Sequence, residues 1–248
     1  MNFIFVALAI ALVFIIRYLV AHRAAGNSSP SSNLPSKLRV AAEYMVPDTP
    51  VSFGYKCKWL AVYTRDTKKL ADRVGLKDAQ SCNWKAGIEY AYEDRVFISP
   101  PVDGWSFIIS LRHLPDAQDQ QSVDLIKTML QDLSREFGRA QYFGTYRVVS
   151  YDCWMKAENG QIERAYGFVD GGNTVVEGDP TDAERKYKLV NTFSSESAED
   201  PNYFDREDLV YPDESMTMEI AGAWSINPQD LEGRTDIGPG LGLVGMLA

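Results

Sequence analysis

Residues 122–155 read SVDLIKTMLQDLSREFGRAQYFGTYRVVSYDCWM, and two periodicities meet inside them. From Ser122 to Phe137 the apolar residues Val123, Ile126, Met129, Leu130, Leu133 and Phe137 recur at three- and four-residue spacing, which predicts a helix with one buried face. Gly138 stands just beyond it, where helices end on a residue that tolerates the left-handed conformation. The period then drops to two. Gln141 to Met155 alternates, with Tyr142, Tyr146 and Val148 on one side and Phe143, Val149, Tyr151 and Cys153 on the other, which predicts a strand.

Outward from this segment, Glu158-Asn159-Gly160-Gln161 supplies an Asn-Gly turn, and a two-residue hairpin there sets Lys156 opposite Glu163. A second turn at Gly171-Gly172 continues the meander through Thr174-Val175-Val176. Upstream, Lys58 to Thr64 has strand character, and Asp66 to Gly75 reads as a capped helix closed by glycine. Asn83 to Glu93 fits a short helix or a loop. Arg95–Ser99 and Trp105–Leu111 bracket Pro100, Pro101 and Gly104 as strand, turn and strand. The predicted class is α+β: an antiparallel meander packed by one long helix and one or two short ones.

The amino terminus has a different character. Phe3 to Ile16 is an unbroken apolar run of 14 residues, and counting past Arg17 to Ala21 gives 19, close to the roughly 20 that cross a bilayer. Residues 2 to 16 carry no Lys or Arg, so the run lacks the basic start of a cleaved signal peptide and reads as a single transmembrane anchor over 1–23. Residues 24–36 are small and polar with Pro30 and Pro35, a flexible linker. Arg17, Arg23, Lys37 and Arg39 all follow the run, which places the body in the cytoplasm by the positive-inside rule, with a periplasmic body as the alternative. The expected organisation is therefore anchor, linker, an α+β domain over 37–192, and a 193–248 segment packed on that domain.

Composition excludes several chemistries. The 248 residues carry 25 Lys+Arg against 34 Asp+Glu, a net charge of −9, which disfavours nucleic acid as a partner. Cys57, Cys82 and Cys153 are 25 and 71 residues apart, so neither a disulfide framework nor a thiolate zinc cluster is expected. With only His22 and His113, no catalytic residue, metal site or cofactor is predicted. Gly240-Leu241-Gly242-Leu243-Val244-Gly245 matches G-x-G-x-x-G formally, yet too few residues follow for a helix to meet a pyrophosphate.

The last quarter carries the strongest compositional signal. Nine acids lie between Glu196 and Glu219 against the single base Arg206, with Tyr203, Phe204 and Tyr211 interleaved, and a short helix is expected at about Ser215 to Trp224. Acidic residues steer encounter while buried aromatics carry affinity, so the candidate interface is Tyr203, Phe204 and Tyr211 as anchors with Asp205, Asp208, Asp213 and Glu214 as steering charges.

The stretches Trp59-Leu60-Ala61-Val62, Asn83-Trp84-Lys85-Ala86-Gly87-Ile88-Glu89, Pro100-Pro101-Val102-Asp103-Gly104-Trp105, Arg135 to Val149 and Ala223-Trp224-Ser225-Ile226-Asn227-Pro228 resemble a set of uncharacterised bacterial proteins of the type of toxin-immunity proteins. The resemblance covers most of residues 58–231 and implies a non-catalytic partner that binds and blocks a secreted antibacterial toxin, such as a type VI secretion effector. A cytoplasmic body would suit a nuclease, a periplasmic one a lipase or peptidoglycan hydrolase. An envelope adaptor and an enzyme with a carboxylate-only site are the competing classes. A reporter fused after Ala248 that works only when exported is expected to stay silent; activity would move the body to the periplasm.

Overall fold

In the computed structural model, residues 40–247 are described. The predicted anchor and linker lie outside these residues. Among the described residues, no helix is long and apolar enough to cross a membrane.

Nine strands are ordered along the chain as β1 (Lys58–Tyr63), β2 (Lys77–Cys82), β3 (Val96–Ile98), β4 (Trp105–Ser110), β5 (Arg139–Tyr146), β6 (Tyr151–Glu158), β7 (Gln161–Val169), β8 (Gly172–Glu177) and β9 (Gly242–Met246). The α-helices are α1 (Thr67–Arg73), α2 (Trp84–Glu93), α3 (Gln120–Phe137), α4 (Asp182–Arg185), α5 (Ser195–Glu199) and α6 (Glu214–Trp224). All nine strands join one sheet in the order β2-β9-β3-β4-β1-β5-β6-β7-β8. Every neighbouring pair is antiparallel. The chain is thus an α+β protein with an antiparallel sheet.

Alternation along the strands splits the core in two. Trp59, Ala61, Phe107, Ile109, Phe143 and Trp154 point to the face covered by Trp84 and Ala86 of α2 and by Met218, Ile220 and Ala221 of α6. Leu60, Val62, Ile108, Tyr142, Cys153 and Met155 point to the other, covered by Leu70 of α1 and by Val123, Ile126, Leu130 and Leu133 of α3. Because both faces are covered, β4 is buried along its whole length, and its two serines, Ser106 and Ser110, donate to the Thr64 and Arg95 carbonyls at 3.0 and 2.8 Å. Helix starts are set by side-chain caps: Asp66, Asn83, Asp119 and Asp213 each accept a backbone N–H three residues on, at 2.8, 3.1, 2.8 and 2.8 Å.

The sequence expectations need four corrections. The single strand over Gln141 to Met155 is a hairpin, β5 and β6, closed with Tyr146 opposite Tyr151 through the one-turn helix Arg147–Val149 and Ser150 at φ +46°. A period of two continues through such a reversal, so alternation does not reveal it. The Asn159-Gly160 turn pairs Glu158 with Gln161 as expected, but a bulge at Lys156 and Ala157 sets Arg164 opposite Lys156. Lys156 still reaches Glu163, Nζ to Oε2 at 3.0 Å. The next turn is made by Asp170 and Gly171, at φ +46° and +90°, one residue before the expected pair. Finally, the glycine-rich tail forms β9 between β2 and β3 within the sheet, and the polar edge strand β2 had no sequence signature.

Glycine spacing in the tail follows from packing. A Cβ at Gly242 would stand 2.3 Å from the Ile98 carbonyl oxygen and 2.4 Å from the Phe97 ring, and one at Gly87 would stand 2.3 Å from that ring. The Phe97 ring is therefore seated against two glycine backbones, one from α2 and one from β9.

The bulge in β7 has a consequence for the core. It turns Arg164 onto the α6 face, where both it and Glu184 are shut away from water. Glu184 Oε1 accepts from Arg164 Nε and Nη2, both at 2.8 Å, and from Trp154 Nε1 at 2.9 Å. Its Oε2 accepts from the backbone N–H and the hydroxyl of Thr181, both at 2.8 Å.

Gly242→Ala is expected to lower stability by about 2 kcal/mol or more, the scale of an overpacked core. Gly238→Ala, at a position with no atom within 4 Å of the added carbon, should stay within about 0.5 kcal/mol of wild type. Equal urea midpoints for the two variants would contradict the packing assigned to β9.

Candidate functional site

The segment from Tyr203 to Ser215 crosses the open edge of the α6 layer and is held by backbone bonds. Val210 N–H donates to the Lys188 carbonyl at 2.8 Å, and Val190 N–H donates to the Val210 carbonyl at 3.1 Å. Tyr203 lies in the core, 2% exposed, with its hydroxyl accepting from the Asn191 N–H at 3.0 Å. The expectation of a surface anchor at Tyr203 is thereby corrected: its bulk and its hydroxyl are used to seat the segment. Phe204 and Tyr211 remain on the surface, 49% and 43% exposed. Each rests on a buried aromatic, Phe204 on Tyr203 at a centroid distance of 5.1 Å and Tyr211 on Phe168 at 5.8 Å, both edge-to-face.

The acidic residues of the segment divide into paired and unpaired ones. Asp208 receives Arg206 through Nε at 3.0 Å and Nη2 at 2.9 Å, and Lys188 Nζ at 2.8 Å. These bonds hold its carboxyl well below the usual range, and Arg206 also binds Glu196. The charge expected at Asp208 is therefore largely compensated within the chain. Asp205 is exposed and has no ion pair among the described residues. Asp213 caps α6, and Glu214 Oε1 accepts from Lys56 N–H at 3.2 Å and the Thr145 hydroxyl at 3.3 Å, tying the loop before β1 to β5.

Beside this ledge, Asp152, Asp213, Glu214, Arg147, Ser150 and Ser215 line a cleft of about 290 Å³ under the start of α6. Asp152 is 2% exposed and accepts the Thr217 hydroxyl at 3.0 Å. Burial pushes its carboxyl up to about 7, and the charges of Asp213 and Glu214 add to the rise, while the Thr217 bond opposes it. Asp152 is joined to the ledge through Phe168, its cross-strand neighbour and the support of Tyr211. Sequence reasoning missed it, although an acid between Tyr151 and Cys153 in the apolar first half of β6 was a signal. Among the described residues, no group of three or more His, Cys, Asp and Glu is placed to hold a metal ion.

The other reactive side chains are engaged elsewhere. All three cysteines are free and buried, and burial raises the thiols of Cys57 and Cys82 to about 12. His113 Nε2 sits 3.0 Å from Asp94 Oδ1, at the end of β4 and away from the cleft. No family model, curated protein or solved structure matches this chain.

The raised Asp152 carboxyl makes stability fall as pH rises. Its folded value lies above the unfolded 3.8, so the folded state binds more protons between about pH 4 and 7, and the favourable term present below that window is lost across it. Asp152→Asn keeps an acceptor for Thr217 and removes the charge. It should match wild type near pH 4 and exceed it at pH 8 by on the order of 2–4 kcal/mol in urea unfolding. A wild-type-minus-variant difference that does not change with pH would show that the carboxyl is not shifted.

Proposed function

We propose that this protein is a membrane-anchored immunity protein that binds and neutralises a cognate secreted antibacterial toxin through the ledge and cleft at the start of α6. The observation that carries this reading is the pairing of two half-exposed aromatics on a buried aromatic base with exposed carboxylates, Asp205 and Asp213, that have no ion pair among the described residues. Phe204 and Tyr211 are the anchors in this proposal, and Asp205 and Asp213 present the steering charge to a basic partner surface. Glu214 contributes to the field of the cleft while bracing the loop at Lys56. Apolar side chains that are already held before binding lose little freedom on association, which favours the exposed rings over flexible ones.

The anchor over 1–23 would hold the body at the inner membrane, with the cytoplasmic side favoured by the basic residues that follow it and the periplasmic side as the alternative. A second reading, an enzyme working through carboxylates alone, is favoured by one observation: a buried acid that titrates near neutrality in a cleft.

The test is a growth assay with the product of the adjacent upstream gene expressed alone and together with this chain, followed by a pull-down. Toxicity that is silenced by co-expression, with a complex weakened at least tenfold by Phe204→Ala plus Tyr211→Ala, is the expected result. No toxicity and no complex would overturn the immunity reading.

A further inference from the structure

A second cleft, of about 210 Å³, lies at the opposite end of α6, where its last turn overhangs β5, β6 and β7. Its lining includes Arg139, Gln141, Lys156, Glu158, Glu163 and Trp224. Three features set it apart from an ordinary surface hollow.

The first is Gln141, which is 5% exposed. Its Nε2 donates to the Trp224 carbonyl at 3.0 Å, which fixes the orientation of the amide. That leaves Oε1 buried with no hydrogen-bond partner, an acceptor that the fold itself does not satisfy. The second is Arg139, whose guanidinium stacks on the Tyr63 ring at 3.9 Å and lies 5.1 Å from the Trp105 ring. It has no carboxylate within ion-pair distance among the described residues, although Glu158 is its cross-strand neighbour. A planar fork of five donors is thus held in place by aromatic rings, and among the described residues none of those donors makes a side-chain hydrogen bond. The third is the bulge opposite Lys156 and Ala157, which interrupts the ladder inside the cleft and sets Arg164 opposite Lys156, while the Lys156 side chain still reaches Glu163 at 3.0 Å. Bulges re-aim side chains at binding sites more often than they occur by chance.

From this juxtaposition we propose that the cleft binds an α-amino carboxylate, its carboxylate received by the Arg139 fork and its N–H donated to Gln141 Oε1, with an aliphatic side chain against Trp224. Carboxylate and guanidinium match in geometry and charge, and only a donor can satisfy the unpaired amide oxygen. The volume lies below that of drug-sized pockets and suits a single residue, free or at the end of a peptide. This site is separate from the ledge proposed to meet a toxin and does not depend on that reading.

The experiment is calorimetric titration of the full-length protein in detergent micelles with leucine, N-acetyl-leucine and leucinamide at neutral pH. Leucine should bind, and leucinamide, which lacks the carboxylate, should bind at least tenfold more weakly. Binding of leucine but not N-acetyl-leucine would assign a free amino acid, and binding of both would assign the carboxyl-terminal residue of a peptide. Arg139→Lys keeps the charge but loses the fork, and should weaken leucine at least tenfold. Gln141→Leu should do the same. If either variant fails to fold, the leucine-to-leucinamide ratio on wild type still decides. The proposal is overturned if neither leucine nor N-acetyl-leucine binds at millimolar concentration, if leucinamide binds as well as leucine, or if folded Arg139→Lys binds like wild type.

Discussion

Arg164 and Glu184 meet out of reach of water between β7 and α4, and the layer that carries both clefts is assembled around them. Removing two charges from water is costly, and their attraction offsets that cost only when the remaining donors and acceptors are also satisfied. Here they are: Glu184 takes five hydrogen bonds from Arg164, Trp154 and Thr181, and Arg164 Nη1 donates at 2.9 Å to the Gly178 carbonyl. Thr181 in turn accepts the indole N–H of Trp224 at 3.2 Å, which links the pair to the last turn of α6. With that end of α6 held, its other end comes to lie over Asp152 and Thr145. The bulge in β7 is the enabling feature, because an unbroken register would have directed Arg164 into the apolar layer under α3.

A sheet buried on both faces explains much of the sequence. Trp59 and Leu60, or Phe107 and Ile108, are consecutive large apolar residues because each serves a different core. The same demand accounts for Gly87 and Gly242. Two layers and a ninth strand must converge around the Phe97 ring, and only backbone without a side chain fits there. A pattern that resembles a nucleotide-binding fingerprint is thus a record of close packing within a strand.

The site was legible in part. The acid-rich composition between Glu196 and Glu219, and the aromatics within it, marked the segment that forms the ledge. Which aromatic would be buried was not legible, because Tyr203 and Phe204 are adjacent and alike in character, and Asn191 and the α6 layer select between them. Nor could composition separate Asp208 from Asp205. Arg206, two residues before it, gives Asp208 two of its bonds, but the third comes from Lys188, which lies 20 residues away and is brought there by the short parallel bridge between Leu189 and Val210.

What the sequence determined by itself is whatever depends on neighbours along the chain: the α3 helix from its 3.6-residue period, the cap at Asp66, the Asn159-Gly160 turn, and the alternation along β5 and β6. These are short-range, since backbone hydrogen bonds and side-chain facing repeat over three or four residues. Only the tertiary structure decided where β9 enters the sheet, which way the bulge turns Arg164, why Asp152 holds its proton near neutral pH, and how Arg139 and Gln141 come to share a cleft with Trp224. Each of those depends on groups far apart in the chain excluding water from one another, and desolvation is a property of the assembled layers that no local pattern encodes.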